Sequence, residues 1–475
     1  MTKKERHIVA LDIGSTKTCA LIGEMDDEGG VKFAALGAAE SKGWRKGQIV
    51  NLDLAVSSIR RAVEVAETIV GVPVESAMIG VAGGHVRGIN SRGGITVGAR
   101  PRDVQRDDVR RAIEAARGIT LPEDREVLHV LPQEFSLDAQ DNIRDAIGMV
   151  GQRLEANVHI VTASGTATQN IVTAVNRAGV RVDDTVLEPF AAAEACLTQD
   201  ERELGACLLD IGGGTTELIA YAGGVVRHTA AVPVGGDHFT NDLAVGLRTP
   251  IPEAEKIKRE HAQAFREHLT EDFPIEIASV GDRPPRTVFA RMLADIVGPR
   301  AQELLMLIRD EMRRGGVESQ IPAGIILTGG GSQLRGLPEL AEKIFNLPVR
   351  TAVPRGLAAQ RADVQYPSNR RIHRCGSICR RSCGIHALSA RGGLDRSGPA
   401  YGLGKRSDRL CVTRGCRIGR HRPPPPTTGS GHCRFVSCWR MCGAFTMWGR
   451  SSVPPMLLPS TNYISRELRG GRRRT

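Results

Sequence analysis

The chain lacks any apolar run that approaches the roughly eighteen residues needed for a membrane-spanning helix. Its N-terminus, residues 1–6, is rich in charge, and the apolar stretch behind it contains Asp12 and Lys17, so it does not read as a secretory signal peptide. Two common phosphate motifs are also missing: G-x-x-x-x-G-K-[ST], and G-x-G-x-x-G following a strand. The sequence therefore predicts neither a membrane span nor an export signal, and it predicts neither of these two phosphate-binding loops.

Acidic residues are scarce in the last quarter of the chain. Of the 64 Lys and Arg and the 53 Asp and Glu, residues 357–475 hold 23 basic and 4 acidic residues. Residues 1–356 are left with a net charge of −8, although the whole chain carries +11. The positive excess therefore belongs to the tail and does not indicate a basic, nucleic-acid-binding body.

The tail, residues 357–475, has no sustained apolar period typical of a helix or a strand. It holds 8 of the 11 cysteines without the paired C-x2-C spacing of zinc sites, and 22 arginines against one lysine. A zinc site, an arginine-rich nucleic-acid arm and a solvated tail are the open alternatives. We interpret the Arg/Cys/Pro-rich composition as a frameshift product of a GC-rich gene, with the reading frame lost near residues 356–360. We expect the tail to be largely disordered.

One theme occurs twice in the body of the chain. An apolar strand ends in Leu11–Gly14 and another ends in Leu209–Gly212, and both tetrapeptides read Leu-Asp-Ile-Gly. A tight turn and a second strand follow in each case. Duplication at this distance predicts two related α/β domains, each presenting one turn to a cleft between them.

Other segments are predicted from apolar spacing and capping residues. A helix is expected over 51–70, stopped by Gly71, and a long one over 287–314. Residues 83–158 differ in texture and predict a small α/β insert. We expect in it a helix over about 103–118 capped by Asp103, with strands near 126–137 and 148–155, and a separate strand over 157–163 beyond.

The glycine-rich turns carry the candidate binding chemistry. Successive backbone N–H groups at glycine form a nest for phosphate. Asp12 and Asp210 lie at strand ends, where a carboxylate can hold Mg²⁺ through water. Thr16 and Thr215 add hydroxyl donors, and Lys17 adds a charge. A single glycine turn is more often only a turn. A third such turn, at 329–332, follows the apolar strand 324–328 and shifts the interpretation towards phosphate binding.

These motifs resemble the two phosphate motifs and the adenosine motif of the actin, heat-shock chaperone and sugar-kinase superfamily. More closely, residues 6–356 resemble the FtsA family of bacterial cell-division proteins. The stretches that carry this resemblance are Gly80–His85, Asn90–Gly93, Asn157–Thr162, Val175–Gly179, Leu187–Pro189 and Val280–Arg286.

The resemblance implies an actin-like α/β fold of duplicated ribonuclease-H-like domains. An inserted α/β subdomain, 1C, replaces the second subdomain of actin. The implied boundaries are 1–82 and 159–190 for 1A, 83–158 for 1C, 191–235 and 300–356 for a truncated 2A, 236–299 for 2B, and 357–475 for the tail.

The resemblance also implies a set of site residues. The nucleotide-binding positions are Asp12, Gly14, Ser15, Thr16, Lys17, Gly212, Gly213, Gly214, Thr215, Thr216, Glu255, Lys258, Gly329, Gly330, Gly331 and Ser332. For Glu255 and Lys258 the alternative is a solvated helical pair. Asp12 and Asp210 would hold Mg²⁺ through water. The catalytic set would be Asp210, Thr215 and Glu188, with Glu188 orienting water by similarity with the actin-like protein MreB.

What the resemblance implies about function is a polymerising, ATP- and Mg²⁺-binding protein with at most slow hydrolysis. Its expected partners are FtsZ, further copies of itself, and other division proteins through 83–158, with no nucleic acid. Such a protein would lie in the cytoplasm, at the inner membrane of the division site. The C-terminal amphipathic helix that anchors the family to the membrane is not recognisable in this sequence.

Three alternatives come from other classes. A small-molecule kinase of the same superfamily would need a carboxylate base in the cleft, and no distinctive candidate is visible. A chaperone-like ATPase would need a long peptide-binding β domain after residue 380. A nucleic-acid-binding protein would work through the arginine-rich tail.

Overall fold

The computed structural model describes residues 6–25, 31–45, 47–281 and 283–352. The predictions for the tail lie outside these residues. The strands are β1 Arg6–Ile13, β2 Lys17–Met25, β3 Val31–Glu40, β4 Trp44–Arg45, β5 Gln48–Ile49, β6 Ser76–Val81, β7 Arg87–Thr96, β8 Arg102–Asp103, β9 Arg125–Leu137, β10 Gln140–Ile143, β11 Val150–Gly151, β12 Arg153–Ser164, β13 Arg181–Leu187, β14 Ala206–Ile211, β15 Thr216–Ala222, β16 Val225–Val232, β17 Pro274–Ile277, β18 Arg286–Phe289, β19 Ile325–Thr328 and β20 Val349–Thr351. The helices are α1 Leu52–Val70, α2 Arg106–Arg117, α3 Gly165–Arg177, α4 Glu188–Cys196, α5 Gln199–Leu204, α6 Gly236–Gly246, α7 Ile251–His261, α8 Ala290–Arg314 and α9 Leu337–Phe345.

Two five-stranded mixed sheets have the same topology. The first has the order β3-β2-β1-β6-β13 and the second the order β16-β15-β14-β19-β20. In each sheet the first three strands form an antiparallel meander, and the last two run parallel to the central strand. The repeated order confirms the predicted actin-like fold of duplicated domains.

Helix α1 shows how the sequence sets the local structure of the first half. The Asn51 side chain accepts the Leu54 N–H at 3.1 Å, and Gly71 ends the helix with a φ of 80°. The buried face of α1 packs on β3, where a Cβ atom at Gly37 would overlap the helix backbone. The close approach of helix and strand therefore depends on this glycine.

Helix α4 packs in a core shared by both sheets. Its buried alanines share this core with apolar side chains of the first sheet, including Ala10 and Met78, and of the second, including Leu208 and Ile219. Small side chains on α4 allow two layers of larger residues to approach it. Each fully buried leucine or isoleucine in such a core contributes about 2 kcal/mol. Helices α6, α7, α8 and α9 belong to a separate core of the second half.

The insert is a sheet of the order β10-β9-β12-β7, with α2 packed against it. Strand β12 runs unbroken over Arg153–Ser164, pairing with β7 on one side and β9 on the other. The prediction of two strands, 148–155 and 157–163, was therefore wrong. Their separation was inferred from local texture, whereas pairing on both edges keeps the strand continuous.

The predicted cap of the insert helix was also wrong. Asp103 is paired in β8 with Val150, and α2 begins later, after Gln105. Asp108 lies at the third helical position and accepts the Gln105 backbone N–H at 2.9 Å. The carboxylate that caps the helix therefore lies within its first turn instead of preceding the helix.

The long helix α8 begins at Ala290, three residues later than predicted. Residues 287–289, predicted as its start, belong to strand β18, which pairs with β17. None of the helices in the described ranges combines the length and the apolar character of a membrane span.

Candidate functional site

The site candidates of the first half lie at one edge of its sheet. Strands β1, β6 and β13 are parallel, with Leu11 paired to Ile79 and Val81 paired to Leu187. Asp12 is the penultimate residue of β1 and Glu188 directly follows β13, so both lie at the carboxyl ends of parallel strands, with β6 between those strands. Open α/β sheets commonly bind ligands at this edge.

The first two glycine turns have the same internal hydrogen bond. The Gly14 N–H donates to the Lys17 carbonyl at 3.1 Å, and the Gly212 N–H donates to the Thr215 carbonyl at 2.9 Å. The duplicated sequence thus forms two equivalent tight turns between antiparallel strands.

These two turns touch each other across the cleft. A Cβ atom at Gly213 would overlap the Thr16 hydroxyl oxygen and would lie 3.3 Å from both carboxylate oxygens of Asp237. The second turn can approach the first this closely only because residue 213 has no side chain. The structure therefore brings the two predicted phosphate turns together.

Three carboxylates close in sequence to the first two turns are buried and interact electrostatically: Asp12, Asp210 and Glu217. Burial raises the pKa of Asp210 well above its usual range, and the charges of Glu217 and Asp12 raise it further. Burial also raises the pKa of Glu217 to about 7, although the carboxylate accepts the Thr215 hydroxyl at 2.6 Å. Concentrated negative charge of this kind suits a cation and its water shell.

Among the described residues, no group of three or more His, Cys, Asp or Glu is arranged as a metal-binding cluster. The donor set nevertheless fits the predicted water-mediated contact, since carboxylate oxygens are the ligands that hard cations and their waters prefer.

The third turn packs on the second. Gly329 has a φ of 86°, and a Cβ atom there would lie 2.5 Å from both Asp210 Oδ1 and the Ile211 carbonyl oxygen. Gly331 lies against the Ile211 side chain, and the Ser332 hydroxyl donates to the Gly329 carbonyl at 2.7 Å. Gly330 is exposed, with open space beside it, so it leaves room for a ligand.

Helix α7 places Glu255 and Lys258 close to the second turn, through Gly236. Lys258 Nζ donates to the Gly236 carbonyl at 2.9 Å and the Thr240 hydroxyl at 2.8 Å, and it lies 2.7 Å from the Glu255 carboxylate. The Gly236 N–H in turn donates to the Gly212 carbonyl at 2.9 Å. The two side chains are partly buried and hydrogen-bonded within the fold, unlike a freely solvated pair.

Two predicted residues are buried in contacts within the fold. The Thr216 hydroxyl is buried and donates to the Val234 carbonyl at 2.8 Å. The buried Glu188 side chain packs against Gly80, where a Cβ atom would lie 2.6 Å from its carboxylate oxygen. Glu188 therefore occupies the same edge as Asp12 but another strand end.

Sequence reasoning missed Glu217, Asp237 and Thr240. Glu217 is the one charged residue of the strand Thr216–Ala222, a signal that the sequence did contain. Asp237 follows two glycines at the start of α6, and burial raises the pKa of its carboxyl. The proximity of Asp237 and Thr240 to the second turn results from tertiary contacts and left no local signal.

Two family models match the chain. The one described as cell division protein FtsA matches residues 207–369, and the one described as the SHS2 domain inserted in FtsA matches residues 83–162.

Curated relatives match most of the chain. Cell division protein FtsA of Pseudomonas aeruginosa is 46% identical over 349 residues, covering 74% of this chain and 83% of the relative. The Neisseria meningitidis protein is 40% identical over 368 residues, with 77% and 88% covered, and the Escherichia coli K12 protein is 35% identical over 367 residues, with 76% and 87% covered.

Solved structures that are similar to this chain include a PilM–PilN type IV pilus biogenesis complex. It has 17% identity and a TM-score of 0.49, with 72% of this chain and 87% of that chain covered. Spiroplasma citri MreB5 bound to ADP has 14% identity and a TM-score of 0.45, with 73% and 92% covered.

Proposed function

Because the chain belongs to the FtsA family of cell-division proteins, we propose that it binds ATP with Mg²⁺ between its glycine turns and works as an actin-like division protein. In this role it polymerises and links FtsZ filaments to the cytoplasmic membrane during septum assembly. The observation that carries the nucleotide proposal is the contact of the two phosphate turns, with three buried and electrostatically interacting carboxylates near them in the chain.

In the proposed complex the backbone of each turn binds one side of the phosphate chain. The Thr16 hydroxyl and Lys17 would be side-chain donors to phosphate, and the Thr215 hydroxyl would join them by exchanging its Glu217 acceptor for a phosphate oxygen. Asp12 and Asp210 would hold Mg²⁺ through water. Bound Mg²⁺ supplies the positive charge that offsets both the phosphates and the carboxylates. The third turn and α7 receive the nucleoside end.

Hydrolysis is proposed to be slow. Glu188 would orient the attacking water, and Asp210 and Thr215 would position the phosphate end. Phosphoryl transfer depends mainly on positioning and on electrostatic stabilisation, so a strong base is not required. The nucleotide would chiefly set the conformation and the polymer state.

The partners are also proposed. FtsZ, further copies of this chain and, through 83–158, other division proteins are the candidates, at the cytoplasmic face of the inner membrane. The predicted subdomain boundaries are part of this proposal. The predicted lack of a membrane anchor concerns residues outside those that the structure describes.

The nucleotide proposal is tested with the full chain by titrating MgATP into the wild type and the Gly213→Ala variant. The added methyl would displace Thr16 from the turn, and we expect binding to weaken by about tenfold or more. Gly84→Ala is the matched control, because nothing lies within 4 Å of its added Cβ. The proposal fails if the folded wild type binds no MgATP, or if Asp210→Ala binds it as tightly as the wild type.

The division role is tested by co-sedimentation of the full chain with purified FtsZ filaments, with and without vesicles of anionic lipid. We expect this chain to pellet with FtsZ filaments in the absence of vesicles. If FtsZ floats with the vesicles when this chain is present and does not when it is absent, the link to the membrane is supported. An absence of FtsZ binding by the MgATP-loaded chain would refute the adaptor function.

A further inference from the structure

A buried histidine of the insert contacts the strand end that carries Glu188. His129 lies in β9 and is 2% exposed. Its Nε2 accepts the backbone N–H of Leu187 at 2.9 Å, and its ring lies 6.0 Å from that of Phe190, centroid to centroid. The insert and the start of α4 are therefore joined by a specific polar contact.

Leu187 occupies a demanding position in the chain. It is the last residue of β13 and the N-cap of α4, and Glu188 is the first helical residue. A leucine cannot cap a helix with its own side chain, and Pro189 follows within the first turn. The imidazole thus fixes the strand-to-helix junction from outside it.

The Glu188 side chain has little room to change its orientation. Its side chain packs on Gly80 so closely that a Cβ atom at that position would lie 2.6 Å from the carboxylate oxygen. A small rotation at the junction would therefore move the carboxylate, because its Cα belongs to the residue next to the hydrogen-bonded N–H.

The hydrogen bond requires a neutral imidazole with an unprotonated Nε2. Burial lowers the pKa of His129 to about 4, so the ring is neutral near physiological pH. The bond then places the remaining ring proton on Nδ1, since Nε2 acts as the acceptor.

The same strand also contacts the second half of the molecule. Gln133 Nε2 donates to the Val226 carbonyl at 2.7 Å, and the Glu134 carboxylate lies 3.2 Å from Arg227. Strand β9 therefore touches β16 of the second sheet as well as the β13–α4 junction of the first, and a shift of β9 would be felt at both.

We propose that His129 is a positioning residue for Glu188, through which strand β9 of the insert controls the rate of ATP hydrolysis. This inference rests on the proposed ATP-hydrolysing function. His129 does not touch nucleotide in this role: it accepts the Leu187 N–H, and that bond holds the first turn of α4 in the orientation that aims the Glu188 carboxylate.

The test compares His129→Phe with His129→Gln in the full chain. Phenylalanine keeps the ring and removes the acceptor, whereas glutamine retains an acceptor at a similar reach. Single-turnover phosphate release is expected to slow about tenfold or more in His129→Phe and to recover largely in His129→Gln, with the Kd for MgATP within about twofold of the wild type in both. His159→Gln is the control, a buried insert histidine whose ring bonds to Asn90 and Thr229 instead of α4.

A double-mutant comparison separates positioning from a general structural effect. If His129 acts through Glu188, His129→Phe should slow Glu188→Gln no further, because the group being positioned is already lost. Equal hydrolysis rates in the wild type and His129→Phe would overturn the inference. So would a rate loss that persists in the Glu188→Gln background, or one that glutamine does not rescue. A wild type that binds no MgATP, or that binds it without hydrolysis, would instead contradict the proposed function from which the inference starts.

Discussion

His159 connects the insert to the second sheet in a way that should make the fold sensitive to acid. Its Nδ1–H donates to Asn90 Oδ1 at 2.7 Å, and its Nε2 accepts the Thr229 hydroxyl at 2.9 Å. The ring is fully buried, and a Cβ atom at Gly88 would lie 2.6 Å from it. A protonated His159 ring would therefore be shut off from solvent and tightly packed.

The magnitude follows from the pKa of this ring. Burial, with a smaller contribution from the charge of His228, lowers the pKa of His159 from 6.5 to about 3. Between these values the unfolded chain binds the proton and the folded chain does not, so stability falls as the pH falls from about 6.5 towards about 3. The full loss is about 5 kcal/mol, of which about 2 kcal/mol is reached by pH 5.

The assay is urea denaturation of the full chain near pH 7.5 and near pH 5, for the wild type and His159→Gln. We expect the wild type to lose about 2 kcal/mol more than the variant over this interval, because glutamine does not titrate. The contribution of His129 is present in both proteins and cancels in the difference. His268→Gln serves as the control for replacing a histidine at an exposed position.

An equal loss of stability in wild type and His159→Gln would refute the reasoning. It would mean that the imidazolium is accommodated in the folded protein, either by solvent entry or by a rearranged contact between the insert and β16.

Three further predictions concern stability. Gly37→Ala should destabilise the chain by about 3 kcal/mol or more, because the new Cβ overlaps the α1 backbone, whereas Gly84→Ala should be nearly neutral; thermal unfolding compares them. Asp108→Ala should lower the free energy of unfolding by about 2 kcal/mol at neutral pH, as measured by chemical denaturation. Arginine side chains and a backbone N–H hold the pKa of the Asp108 carboxyl low, so the stability advantage of the wild type should shrink progressively as the pH falls below about 4. Glu217→Gln should be more stable to unfolding than the wild type by up to about 3 kcal/mol above pH 7 in metal-free buffer, and no more stable below about pH 4.5. The reason is that the folded wild type binds an extra proton between these values, whereas glutamine does not titrate. A stability difference that is constant across pH would contradict this.

Much of the first half could be read from local sequence. The apolar face of α1, its Asn51 cap and the Gly71 stop all act within a few residues of the helix, and the structure has the helix at Leu52–Val70. The two Leu-Asp-Ile-Gly turns were predicted for the same reason. A strand, a glycine turn and a second strand form a unit whose hydrogen bonds close within it, such as Gly212 N–H to the Thr215 carbonyl.

The errors arose where partners distant in sequence decide the outcome. Strand β12 continues through the predicted break because β7 and β9 pair with it on both edges. The helix predicted from 103 starts later because Asp103 is recruited into a pair with Val150. In both cases cross-strand hydrogen bonds overrode the local pattern.

The sequence by itself determined the duplicated turns, the family and the residue types available for binding phosphate and a cation. Only the tertiary structure decided which groups meet: Thr16 against Gly213, Glu217 beside Asp210, and His129 on the Leu187 N–H. The physical reason is that turn geometry depends on neighbours in the chain. The charge and hydrogen-bonding environment of a buried group depends instead on whichever segments the closed fold packs around it.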